Sequence, residues 1–174
     1  MKTIIELLPL KGAVIGDHQV MFGDSKEQIL KTFKLAKVDE GEILYLDEYE
    51  LSISFSYDKV VFIECLYGTK SEKTIPKIDG CEIFKLPAAE VLALLVAKNG
   101  CEPEFEEERG YLFSEISVGC YRPSTPEDIL EEIELMKNDG SYEDNQEWLE
   151  EDLSAARYFQ TVGIGVEGYY RSLD

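Results

Sequence analysis

Two neighbouring strands constrain the fold of this chain more than any other feature. Residues 50–57 alternate, with apolar side chains at the odd positions and Glu50 and three serines at the even ones, which predicts a half-buried strand. Asp58-Lys59 forms a short turn, and residues 60–67 are then apolar on both faces apart from Glu64. An apolar run of this length predicts a central strand of a sheet.

Other strand and helix signals surround this pair. Gly16-Asp17-His18 lies between two apolar runs and predicts a hairpin turn. Ser25 and Gln28 fit a capping box that begins a helix over about residues 26–36. Pro87 predicts the first position of a second, mostly buried helix, which Asn99-Gly100 ends. The remaining expectations are a polar loop or short hairpin at 68–80, an acidic turn at 102–110 and one strand at 111–121.

The last third of the chain is predicted to be mainly helical. Thr125 and Pro126 begin one helix, and Ser141 caps another, whose apolar face includes Trp148. Residues 162–170 are rich in glycine and aromatic residues, which fits a final strand or a tail folded back on the core.

Together these signals predict a single α+β domain over residues 1–174, mainly an antiparallel sheet with helices packed on it. Residues 13–67 and 82–121 each follow a strand-helix-strand pattern. An internal duplication explains this pattern, and chance similarity between ordinary segments is the alternative. Residues 125–160 form the helical segment that follows.

The net charge is the most unusual property of the composition. The chain has 36 acidic and 17 basic residues, a net charge of −19. Residues 101–174 hold 20 of the acids and only 5 of the bases. Such a field repels nucleic acids and anionic membranes and attracts a basic protein partner. Excess carboxylates that serve only solubility are the alternative.

Two acidic segments are the predicted partner-binding surface, because acidic side chains beside aromatic ones steer and anchor a basic protein. One is the acid run before Arg109, and the other is the acidic face of the last helix. The predicted contact residues are Glu104, Glu106, Glu107, Glu108, Glu143, Asp144, Glu147 and Glu151.

No motif predicts a catalytic residue, a metal site or a cofactor. The four cysteines are 16, 20 and 19 residues apart, without the close pair that zinc sites use. His18 is the only histidine, and its predicted turn position favours an exposed side chain. Residues 163–168 match GxGxxG, but a helix precedes them and too few residues follow for a dinucleotide fold, so these glycines are interpreted as turn and packing positions.

Glu64 is the best candidate for an enzyme or ligand-binding domain that uses a buried carboxylate. It lies in the most apolar strand, where a carboxylate needs a partner or a raised pKa. The structural alternative is an edge-facing or lysine-paired side chain.

The chain resembles bacterial toxin-immunity proteins. The resemblance rests on its size, its charge and an acidic helical C-terminal third that closes with residues 156–163, ARYFQTVG. It implies a cytoplasmic binding protein that neutralises a toxin. Three hypotheses follow: a binding protein for a basic partner, which we favour, a small carboxylate-using enzyme or ligand-binding domain, and a self-associating structural protein. The N-terminal segment lacks a signal-peptide cleavage site, and the cysteines are expected to be reduced, so a cytoplasmic location is predicted.

Overall fold

The structure is a computed structural model that describes residues 1–35, 41–108 and 110–171. Within these residues, four α-helices and twelve strands in two mostly antiparallel sheets confirm the α+β fold. In chain order the strands are β1 (Thr3–Leu8), β2 (Gly12–Ile15), β3 (His18–Met21), β4 (Ile43–Leu46), β5 (Leu51–Ser56), β6 (Lys59–Cys65), β7 (Thr74–Ile78), β8 (Cys81–Glu82), β9 (Glu104–Glu106), β10 (Gly110–Phe113), β11 (Val118–Tyr121) and β12 (Thr161–Gly165). The helices are α1 (Lys26–Thr32), α2 (Ala88–Asn99), α3 (Pro126–Asp139) and α4 (Tyr142–Ala155). No helix of the described ranges is long and apolar enough to cross a membrane.

The smaller sheet has five strands in the order β3-β2-β1-β7-β8. β2 and β3 form the predicted hairpin, but its turn is Gly16-Asp17, and His18 already belongs to β3. β1 and β7 pair in parallel, with Ile5 opposite Pro76. Parallel neighbours need a long connection, and here residues 9–73 lie between β1 and β7. The segment 68–80, expected to be a loop or a short hairpin, contains a short helical turn and then strand β7.

The larger sheet has seven strands in the order β4-β5-β6-β12-β11-β10-β9. β5 and β6 are the two strands that the sequence predicts, although the turn between them is Tyr57-Asp58, one residue earlier. Tyr57 is consequently 98% exposed instead of facing the core. The last strand, β12, lies between β6 and β11, so residues 161–165 complete the centre of the sheet.

Two expectations about the second half were wrong. The predicted single strand at 111–121 is the hairpin β10–β11, with Ser117 at a left-handed φ of 51° before β11. The predicted acidic turn at 102–110 contains the edge strand β9. Of the connecting residues 114–117, only Ile116 is apolar, and its even position matches those of Leu112, Val118 and Cys120, so the alternation did not reveal the turn.

One hydrophobic cluster joins the two sheets and helices α1 and α2. Buried residues from the smaller sheet, such as Ile5, meet Ile53 and Ile63 from the larger one. Helix α2 contributes Val91 and Leu95, while its other large apolar side chains are only half-buried. This shared cluster makes the two sheets one structural unit.

The predicted helix starts are largely correct. Ser25 and Gln28 form the capping box of α1, but the helix ends at Thr32, and Ala36 lies outside the described residues. Pro87 is the N-cap of α2 rather than its first residue, and Gly100 ends that helix at a left-handed φ of 80°.

The order of elements recurs in the two halves. The hairpin β2–β3 is followed by α1 and the meander β4-β5-β6, and the pair β7–β8 is followed by α2 and the meander β9-β10-β11. The duplication of 13–67 and 82–121 stays a prediction.

A buried carboxylate connects the two sheets. The side chain of Glu50 accepts hydrogen bonds from the Ser71 hydroxyl at 2.5 Å and from the backbone N–H groups of Glu72, Lys73 and Thr74 at 2.9, 3.1 and 3.2 Å. The Thr74 hydroxyl donates a further bond at 3.1 Å. Burial by itself raises the pKa of Glu50, but these donors outweigh it and lower the pKa from 4.5 to about 2.

Glu50 was expected on the polar face of a strand, and this expectation was wrong. Its backbone has a left-handed φ of 49°, and only 6% of the residue is exposed. The loop 71–74 leads into β7 of the smaller sheet, while Glu50 directly precedes β5 of the larger one. Clusters of backbone N–H groups of this kind often bind anions, and here the Glu50 carboxylate is the bound anion.

We expect Glu50→Gln to lower the free energy of unfolding at pH 7 by about 2–3 kcal/mol, because an amide brings a donor to a site of donors. Since the folded-state pKa of Glu50 is depressed, its contribution is complete above pH 4.5 and disappears as the pH falls through about 2. Urea unfolding across this range should show the variant and the wild type converging in acid. Glu48→Gln, at an exposed neighbour, is the control. Equal stability of both variants at pH 7 would contradict the proposed connection.

Candidate functional site

A helical hairpin lies in the chain between two strands that are neighbours in the larger sheet. β11 and β12 are antiparallel partners, with Tyr121 opposite Thr161, yet residues 122–160 separate them in the chain. Antiparallel neighbours need only a two-residue turn. The intervening segment holds α3 and α4, so this part of the chain is an insertion that the sheet itself does not require.

The hairpin has a small hydrophobic cluster of its own. Ile129 and Ile133 from α3 pack against Leu149 from α4 and Ala156 just beyond it, separately from the main core. Gly140 has a left-handed φ of 85° and lets the chain reverse between the helices. The pair therefore packs mainly on itself, and its outer faces remain exposed.

Both ends of the hairpin are fixed to the rest of the protein. Arg122 Nη1 donates to the Ala156 carbonyl at 2.7 Å, and its guanidinium lies 5.8 Å from the centre of the Phe159 ring. The backbone N–H of Gln160 donates to the Tyr121 carbonyl at 2.8 Å. These contacts fix the base of the hairpin to β11 and to the segment that leads into β12.

The hairpin carries much of the charge of the protein. Residues 122–160 contain 12 acidic and 3 basic residues, a net charge of −9 out of −19. All four predicted contact residues of α4 are exposed: Glu143, Asp144, Glu147 and Glu151. Their spacing of three and four residues places them along one side of the helix. Within the described ranges, no ion pair involves any of the four.

Trp148 lies on the border of this acidic side. It was expected in the apolar face of the helix, but it is 47% exposed. Asp144 and Asp152 lie one turn before and after it, and Glu151 is three residues away. An exposed aromatic ring therefore stands among carboxylates, which is the combination that the sequence analysis expected of a docking surface.

The other predicted acid run lies at the edge of the larger sheet. Glu104 and Glu106 belong to β9, and Glu107 and Glu108 follow in the turn to β10. Glu106 is half-buried, and the other three are exposed. Arg109 lies outside the described residues. Charged side chains on an edge strand also prevent pairing with other chains, so this run has a structural explanation of its own.

A row of rings runs from the edge strand β9 to the base of the hairpin. Phe105 of β9 is 64% exposed, and its ring centre lies 5.1 Å from that of Tyr111. Tyr111 in turn lies 5.7 Å from Phe159 at the base of the hairpin. Because side chains alternate along a strand, Glu104 and Glu106 point away from Phe105. The structure thus brings the edge strand and the hairpin base together, but not the carboxylates of the two segments.

Two adjoining grooves lie beside the hairpin base, and no pattern in the sequence predicted them. Their volumes are about 460 and 350 Å³, and they share Gly68, Thr69 and Tyr158. Asp152 of α4 lines the smaller one. Tyr67 and Gly68 both have left-handed backbones, and a Cβ at Gly68 would lie 2.6 Å from the Phe159 carbonyl oxygen. A Tyr-Gly pair after a buried strand was the only sequence signal for this close approach.

Glu64 is half-buried on the face of the larger sheet opposite Ile63 and Cys65. It is paired with Ser52 on β5 and Gly163 on β12. Burial raises the pKa of Glu64, and a hydrogen bond with the Thr161 side chain partly offsets that effect. None of the described ion pairs includes Glu64, and none of the grooves described here is lined by it. The described ion pairs and grooves therefore bring no charged group to Glu64 that would support a catalytic role.

The GxGxxG segment serves packing. Gly163 and Gly165 are strand residues of β12, and Gly168 occupies a turn with a φ of 78°. A Cβ at Gly163 would lie 2.3 Å from the Phe62 ring, and one at Gly165 would lie 2.6 Å from the Tyr169 side chain. The rings of Phe62 and Tyr169 stack at 4.5 Å. The glycines therefore leave room for aromatic side chains on the sheet, as the packing interpretation implied.

All four cysteines are free thiols in the described chain. Cys65 and Cys120 are buried, and burial raises the pKa of both thiols. No cluster of three or more potential metal ligands occurs among residues 1–35, 41–108 and 110–171.

Comparison with protein-family models, with curated proteins and with solved structures finds no match to this chain.

We expect Gly163→Ala to lower the free energy of unfolding by roughly 1–3 kcal/mol, because the new methyl group overlaps the Phe62 ring. Phe62→Leu should relieve the overlap, so the double variant should be more stable than the sum of the single effects predicts. Chemical denaturation of the four proteins measures this coupling. Additive effects would show that the ring is not the obstacle.

We expect Glu64→Gln to change the pH dependence of stability. Because the folded-state pKa of Glu64 is raised, the ionised side chain makes folding less favourable as the pH rises above 4.5. The glutamine variant lacks this loss, so its stability relative to the wild type should increase as the pH rises above 4.5 and should level off once the carboxyl group is ionised in both states. Denaturant titrations at several pH values test this. A difference that is independent of pH would contradict the burial of this carboxyl group.

Proposed function

We propose that this chain is an acidic binding protein that recognises a basic protein partner through the α3–α4 hairpin. The observation that carries the proposal is the row of exposed carboxylates on α4, which no described cation opposes, on a helix pair inserted between neighbouring strands. Strands β11 and β12 could pair without this insertion. The charge of the hairpin therefore needs an explanation beyond the fold.

Electrostatic repulsion along α4 supports this proposal. Like charges four residues apart, such as Glu143 and Glu147, destabilise a helix by about 0.2–0.5 kcal/mol per pair. Lysine or arginine side chains of a partner would remove that repulsion on binding. The same field would accelerate association at low ionic strength and lose that effect as salt screens it.

Trp148 supplies the apolar component of the surface. Binding energy at protein interfaces is concentrated in a few aromatic or arginine residues that a ring of polar groups surrounds. Trp148 has this setting, with Asp144, Glu151 and Asp152 around it. The grooves at the hairpin base continue the surface toward Tyr67 and Tyr158.

In its most specific form, the proposal makes the partner a basic toxin that this protein neutralises in the cytoplasm. The resemblance in size and charge to bacterial toxin-immunity proteins supports that form. No enzymatic step is part of the proposal.

The test compares two proteins with the same net charge. One carries four neutral substitutions on α4, and the other carries four at exposed acids of the first half of the chain. The hairpin variant is Glu143→Gln, Asp144→Asn, Glu147→Gln, Glu151→Gln. The control is Asp17→Asn, Glu42→Gln, Asp58→Asn, Glu72→Gln.

Proteins captured from lysate at about 50 mM and about 500 mM salt are identified by mass spectrometry, and the best candidate is purified for calorimetry. We expect a basic protein whose affinity falls roughly ten-fold or more in the hairpin variant and little in the control. Trp148→Ala should weaken binding by at least about 2 kcal/mol. Equal losses in both charge variants would mean that only net charge matters, and this result would contradict a hairpin site.

A further inference from the structure

A third groove lies away from the hairpin, between the end of α1, strand β3 and the turn that joins β4 to β5. Its volume is about 460 Å³. Residues of three separate segments line it, and most of them are aromatic or acidic. Those used below are His18, Phe33, Tyr45, Asp47, Glu48 and Tyr49.

Three rings form one wall of this groove. The ring centres of His18 and Phe33 are 5.1 Å apart, those of Phe33 and Tyr49 are 5.3 Å apart, and those of His18 and Tyr49 are 6.4 Å apart, all in edge-to-face arrangements. Each of the three residues is half-buried, so the rings are packed against one another and still reach the surface. The ring planes are inclined to one another by 63–83°, so the faces of the cluster point in more than one direction.

Acidic side chains lie beside these rings. Asp47 and Glu48 are exposed, and within the described ranges neither carboxylate takes part in an ion pair. The Asp47 carbonyl accepts a hydrogen bond from Lys73 Nζ at 2.8 Å, which fixes the turn without using the carboxylate. Lys34 also lines the groove, so Lys34 and Lys73 are two cations beside which a positively charged ligand would have to bind.

The combination selects for a positively charged ligand. Aromatic faces attract ammonium and guanidinium groups through their quadrupoles, and nearby carboxylates strengthen this attraction. A neutral apolar ligand would gain nothing from Asp47 and Glu48, and an anion would be repelled by them. We propose that this groove binds a lysine or arginine side chain of a protein partner.

The inference shares with the proposed function the expectation of a basic partner, but it concerns a different surface. No hairpin residue lines the groove. The experiment therefore uses amino-acid derivatives instead of the unidentified partner, so it can fail while the hairpin proposal stands, and it can succeed if the hairpin proposal fails.

The only histidine of the chain is a reporter at the site. NMR signals of the His18 ring are followed at about pH 8 while N-acetyl-lysine amide or N-acetyl-arginine amide is added. N-acetyl-norleucine amide, which is apolar and uncharged, is the ligand control. We expect saturable shifts with both cationic compounds and at least about three-fold weaker binding of the norleucine compound.

Variants separate the contributions of ring and charge. Tyr49→Leu removes a ring and should weaken binding about two- to five-fold, while Tyr49→Phe keeps the ring and should restore it. Asp47→Asn with Glu48→Gln should weaken binding roughly five-fold, and Asp58→Asn should have no such effect. Lys34→Gln removes a competing cation and should tighten binding. Circular dichroism and thermal unfolding establish that each variant is folded.

Three results would overturn the inference. They are absence of a saturable shift with either cationic compound, equal binding of the norleucine compound, and binding that is unchanged in both Tyr49→Leu and the Asp47, Glu48 double variant.

Discussion

The hydrogen bonds to the Glu50 carboxylate fix a specific contact between the two sheets, which a shared hydrophobic cluster holds together. Five donors from residues 71–74 surround a carboxylate that belongs to the other sheet. A buried charge is tolerated only when its hydrogen bonds are complete. The loop that receives Glu50 continues into β7, and its start at Gly68 packs against Phe159 beside the hairpin base. One carboxylate therefore fixes both the sheet contact and one wall of the grooves.

The other acidic side chains behave differently because few described cations oppose them. On α4 they form an exposed row around Trp148, and beside His18 they stand next to a cluster of rings. Exposed carboxylates contribute little to the stability of the fold. They do influence which partners can approach. The surface of α4 and the groove beside His18 therefore both favour cations.

Much of the fold was predictable from local patterns. The capping box of α1, the start of α3 at Thr125 and Pro126, the strands β5 and β6 and the glycine that ends α2 all follow from a few adjacent residues. The four acidic residues predicted as contacts on α4 are exposed. The grooves and the aromatic cluster were not predictable, because they combine residues such as His18, Phe33 and Tyr49 that are far apart in the chain.

The sequence by itself determined the α+β class, the acidic character of the last third and most helix boundaries, since propensity, capping and alternation act over short distances. Only the tertiary structure decided that β7 pairs in parallel with β1, that β12 enters the centre of the larger sheet and that Glu50 is buried. These features depend on pairing between distant segments. Local patterns do not show which strands become neighbours in a sheet or which donors surround a carboxylate. These contacts depend on the free energy of the whole folded chain.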